Sequence, residues 1–88
     1  MSHKDHKILE KEIAKARKLI QVGCTYVHFR YPDKRYQVLD IGIQEEGENL
    51  CVIYCDTGSP SVHFVRNLDS WLETLIIDGK SVPHFTKA

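Results

Sequence analysis

The chain has 88 residues, 42% of them hydrophobic, and its 12 cationic and 12 acidic side chains leave a formal net charge of zero. That is the size of one domain, and one that buries only about 60–65% of the surface its unfolded form exposes. Disorder is excluded for most of the chain by the apolar content, and a polyanion is disfavoured as main partner because nucleic-acid modules carry a basic excess.

The charge is nevertheless uneven. Over residues 1–22, Lys4, Lys7, Lys11, Lys15, Arg17 and Lys18 outnumber Asp5, Glu10 and Glu12, whereas residues 23–88 carry an acidic excess. The spacing of Leu9, Ile13, Ala16 and Ile20 predicts an amphipathic helix over 3–21, widened by Ile8 and Leu19. Ser2 is its expected N-cap and Gly23 its expected C-terminal cap. The apolar stripe is expected on the β domain of the same chain, with a self-associating helix pair and hence a homodimer as the alternative. Lys4, Lys7, Lys11, Lys15 and Lys18 fall on the opposite face, either as a solvated surface or as a contact for anionic lipid or nucleic acid, the latter as in an RNA- or ribosome-associated module.

From Gly23 onward the pattern turns to short strands. Tyr26, His28 and Arg30 share one face of the first, and Val27, Phe29 and Tyr31 the other. Pro32-Asp33-Lys34 is the expected reversal. A second strand starts near Arg35, and Gly42 inside it predicts a bulge. Glu45–Asn49 reads as a polar turn. Leu50–Asp56 is apolar on both faces and so is expected to be central. Thr57–Pro60 is a second turn, and Ser61–Arg66 a fourth strand. Asn67–Ser70 reads as a helical turn, Trp71–Ile77 as a fifth strand or a helical turn running into one, Asp78-Gly79 as a hairpin turn, and Lys80–Phe85 as an edge segment. Five or six short strands in about 65 residues predict a small, partly open, SH3-like antiparallel barrel at 23–88 with the N-terminal helix leaning on it.

Cys24, Cys51 and Cys55 are odd in number and lie in apolar contexts. The charged N-terminus lacks the form of a signal peptide, and no apolar run approaches the roughly 20 residues of a membrane span, so a cytoplasmic protein with reduced thiols is expected. Cys51 and Cys55 are four apart on a strand, roughly 13 Å, which is too far to share a zinc ion. His3 and His6 lack a third ligand. Neither a metal nor another cofactor is expected, and without a motif that would activate a thiol the chain is expected not to be an enzyme. Tyr26 and His28, if joined by Tyr54 and Trp71 with Arg66 at the edge, would form an aromatic shelf for a protein or peptide segment; the competing reading is that the same rings fill the core.

Gly23–Phe29, Tyr36-Gln37-Val38, Val52-Ile53-Tyr54, Phe64-Val65-Arg66 and Asp78–Phe85 together resemble a bacterial family of unknown function, domain-of-unknown-function family 1653, over residues 22–86. The resemblance implies a small SH3-like barrel in a bacterial cytoplasm and no activity. Phe64 stands where that pattern has tryptophan, Asn67 where it has proline, and His84 where it has arginine. The loop at Glu45–Asn49 lacks its histidine and threonine. An anion site that relied on the missing arginine loses it here.

Overall fold

The computed structural model describes residues 5–88. Its elements are α1 (His6–Leu19), β1 (Thr25–His28), β2 (Tyr31–Gln44), β3 (Asn49–Asp56), β4 (Ser59–Asn67), α2 (Leu68–Leu72), β5 (Thr74–Ile77), β6 (Lys80–Pro83) and β7 (Phe85–Lys87). The fold is mainly β. Five strands form one antiparallel sheet in the order β4-β3-β2-β1-β7, and β5 with β6 forms a separate hairpin.

The helix forms where its stripe predicts. Ala16 and Ile20 are buried in the core, and Leu9 and Ile13 half-buried, so the stripe packs on its own chain. Ile8 and Leu19 do not widen it; both are exposed. Asp5 is the cap, its carboxylate accepting from the Lys7 amide at 2.9 Å. Ser2 lies outside the described residues. At the other end, the chain becomes extended already at Ile20. Gly23, at φ +90°, therefore does not close the helix. It turns the chain into β1 and donates its N–H to the Val38 carbonyl at 2.8 Å.

One expected reversal and one expected bulge fall elsewhere. The β1–β2 turn is Phe29-Arg30, because His28 pairs with Tyr31. The His28 ring itself supports that turn, since Nδ1 accepts from the Arg30 amide at 3.0 Å. Pro32–Arg35 instead swings out as an irregularity in β2 between the Tyr31 and Tyr36 pairs, where proline has no ladder bond to donate. The bulge expected at Gly42 lies between Val38 and Asp40; Gly42 pairs regularly with Cys51. The extra residue shifts the alternation by one, so Val38 and Ile41 both face the core and Asp40 stays outside. Asp78-Gly79 makes the predicted tight turn, both residues at positive φ. β3 lies inside the sheet, as its apolar faces predict.

The sheet is strongly curled. In a flat sheet β4 and β7 would lie about 19 Å apart, at about 4.8 Å per strand. The Arg66 guanidinium on β4 nevertheless sits 5.2 Å from the Phe85 ring centre on β7. The ladder stays open, with β4 and β7 as its two edges. The inner face holds Tyr26, Val38, Ile41, Val52, Tyr54 and Phe85, closed by Trp71 of α2 and by Ala16 and Ile20. Trp71 stacks on Phe85 at 3.7 Å and meets Tyr26 and Tyr54 edge-on.

Candidate functional site: a cationic aromatic cleft

Where the core cluster meets solvent, the chain assembles two adjoining clefts. One, of about 400 Å³, is lined by His28, Phe29, Arg30, Tyr31, Arg66, Leu75 and His84. The other, of about 260 Å³, is lined by His28, Tyr31, Tyr36, Tyr54, Phe64, Arg66 and Phe85. They share His28, Tyr31 and Arg66, so they form one groove across the mouth of the curled sheet.

Arg66 is fixed in this groove by three contacts. Its Nη1 donates to Ser70 Oγ at 3.2 Å and to His84 Nε2 at 3.5 Å, while the guanidinium lies over the Phe85 ring. His84 Nδ1 faces the Ser70 carbonyl at 3.0 Å. A carbonyl only accepts, so that contact assigns the proton to Nδ1 and leaves Nε2 as the acceptor for Arg66. His84 is held in turn by its backbone, which donates to Glu73 and accepts from Phe29. No carboxylate pairs with Arg66 among the described residues. The rest of its fork, Nε and Nη2, makes no hydrogen bond to the protein there.

His28 is the buried polar residue of the cluster. Phe29, Tyr31, His84 and Phe85 surround its ring at 4.8–5.2 Å. Burial lowers its pKa from 6.5, and the neighbouring His84, Arg66 and Arg30 push the same way. It is therefore neutral at pH 7, and because Nδ1 accepts from Arg30, its proton sits on Nε2. Tyr36, on the far rim, has its pKa raised, first by burial and then by the Asp56 carboxylate.

The residues predicted as a shelf are brought together, but most of them face inward. Tyr26, Tyr54 and Trp71 are the dry packing of the core, at 3–7% exposure. Of that group only Arg66 and the edges of His28 and Tyr54 reach the groove. Sequence reasoning missed Phe29, Tyr31, Tyr36 and Phe85, and treated His84 only as a departure from a pattern. The missing information was the pairing of β7 with β1, which carries His84 and Phe85 to His28. Lys7, Lys11, Lys15 and Lys18 are exposed on α1; Lys4 and His3 lie outside the described residues.

A further cavity, of about 550 Å³, is elsewhere and of opposite character. Glu12, Glu48, Asp69 and Glu73 line it. The three cysteines are free; Cys51 Sγ contacts Asn67 Oδ1 at 3.5 Å and the Asn49 carbonyl. Among the described residues, no three His, Cys, Asp or Glu side chains converge as metal ligands would. Among them also, no helix is long and apolar enough to cross a membrane.

The family model described as "Protein of unknown function (DUF1653)" matches residues 24–87. The chain belongs to the DUF1653 family. The DUF1653 segment contains every residue of the cationic groove and leaves out α1 with its lysines. No curated protein and no solved structure matches the chain.

Proposed function

We propose that the chain is a non-enzymatic interaction module that captures a carboxylate-bearing protein segment in the groove around Arg66. The observation that carries this reading is the half-buried Arg66, whose guanidinium no carboxylate neutralises among the described residues. A cation removed from water normally acquires an anionic partner, and arginine's planar fork fits a carboxylate at two points. Ser70, His84 and Phe85 hold Arg66 in place in advance, which lowers the ordering cost of binding. Neutral His28 adds an Nε2 donor, and the flanking rings offer apolar surface. The non-enzymatic part rests on the buried placement of Cys51 and Cys55 and on the engagement of both histidine rings, His28 by the Arg30 amide and His84 by the Ser70 carbonyl and Arg66. The setting is a bacterial cytoplasm, in keeping with three free thiols.

The test is an NMR titration of the ¹⁵N-labelled protein with acetyl-Tyr-Glu-amide and its glutamine counterpart. The acidic probe is expected to shift the Arg66 side-chain and His84 signals and to bind at least about tenfold more tightly. Equal binding of the two probes, or no response to either, would sink the reading.

The second reading, an RNA- or ribosome-associated module, is favoured by one observation, the exposed row of Lys7, Lys11, Lys15 and Lys18. It requires retention on RNA that falls steeply with salt. Self-association through α1 has only Ile8 and Leu19 as exposed large apolar side chains of that helix to work with.

A further inference from the structure

We propose that the segment captured at Arg66 binds as an added strand along the free edge of β4, an inference that rests on the carboxylate-capture reading above. β4 and β7 are the two edges of the sheet, and they differ. β7 has three residues, too short to template a partner. β4 has nine. Near its start it carries Pro60 and a register shift, devices that blunt an edge. From His63 to Asn67 it pairs with β3 without interruption and holds neither proline nor lysine. Val65 in the middle of that stretch is 65% exposed. A regular, exposed edge of this kind presents alternate backbone donors and acceptors to an incoming chain.

The side chains of the same stretch define the occupant. Phe64 and Arg66 are two apart and pair with Tyr54 and Val52, so both lie on the inner face and line the groove. A strand added beside β4 would set its own alternate side chains about 5 Å from them. One would rest on Phe64, and the other, two residues away, on Arg66. Among the described residues, Arg30 and Arg66 are the only charged ones lining the two clefts, so an acidic side chain is accepted there and a basic one repelled. The fitting ligand is an extended peptide with an apolar residue and a carboxylate at positions i and i+2. A second copy of β4 does not fit, because Ser59–Asn67 contains no aspartate or glutamate to offer Arg66.

The probe is a peptide as long as β4, alternating valine and threonine, with one valine replaced by glutamate. Two further versions carry backbone N-methyl groups on one or the other alternating set of residues. The parent peptide is expected to slow hydrogen exchange at alternate amides between His63 and Asn67. One N-methylated version is expected to bind about tenfold more weakly or worse while the other binds like the parent. If acetyl-Tyr-Glu-amide binds at Arg66 but both N-methylated peptides match the parent and β4 amides stay unprotected, strand addition is wrong and carboxylate capture survives. If no acidic probe binds, both fall. Protection of β4 that appears with rising protein concentration and no peptide would also overturn the proposal, in favour of pairing between copies.

Discussion

One aromatic cluster serves two purposes at its two ends. At the Trp71 end, Tyr26, Tyr54, Trp71 and Phe85 exclude water from each other, and their polar handles are tied down, as where Tyr26 Oη accepts from the Gln21 amide at 3.0 Å. At the His28 end, rings of the same kind stand beside Arg66, His84 and Arg30 and border solvent. The sequence uses the same residue types for both ends. Position along the curled sheet, rather than composition, decides which ring stabilises the fold and which is free to meet a ligand. The contrast predicts that substitutions at the dry end are read mainly in stability and those at the wet end mainly in binding.

The largest effect belongs to the dry end. Trp71→Ala removes the ring stacked on Phe85 and touching Tyr26 and Tyr54. It should cost about 3–5 kcal/mol, a large part of a small domain's stability, and shift the urea midpoint sharply downward. A loss below about 1 kcal/mol would mean that the cluster is not the core.

His28 sits at the boundary and should report it through pH. Unfolded, its imidazole titrates near 6.5, and folded it titrates lower. Between those values the unfolded chain binds a proton that the folded chain does not, so stability is full above pH 6.5 and declines as pH falls below it. His28→Asn keeps an acceptor for the Arg30 amide without the titration, and should flatten this part of the stability–pH curve measured by urea denaturation.

Gly79 tests the wet end's outer wall. It sits at φ +78° in the β5–β6 turn, and Leu75 of that hairpin lines the groove. Gly79→Ala should cost about 1 kcal/mol and raise hydrogen exchange in the hairpin while leaving the core amides protected. The smallest effect is expected at Arg17→Ala. The Arg17–Asp40 ion pair at 3.3 Å lies outside both ends, with side chains more than half exposed, and should be worth under about 1 kcal/mol in thermal melts.

Much of this architecture was legible in the chain. The 3.6-residue stripe of α1, the two-faced apolar run of β3 and the Asp78-Gly79 turn are local signals that tertiary contacts reinforce. The misplaced features share a cause. Pro32 and Gly42 look like a turn and a bulge in isolation, but register decided both: the His28–Tyr31 pair moved the first reversal, and the need to bury Val38 and Ile41 together moved the bulge. The groove was the least legible part. β1 has rings on both faces, so period two alone does not say that Tyr26 and His28 point inward. His84 and Phe85 reach them only through a pairing between strands more than fifty residues apart in sequence.

The most direct measurement of the division of labour is Arg66→Gln, followed in parallel by thermal denaturation and by titration with acetyl-Tyr-Glu-amide. The account predicts a stability change within about 1 kcal/mol and a loss of affinity of at least about tenfold. A protein that melts far below the parent, or that binds the acidic probe as the parent does, would contradict it.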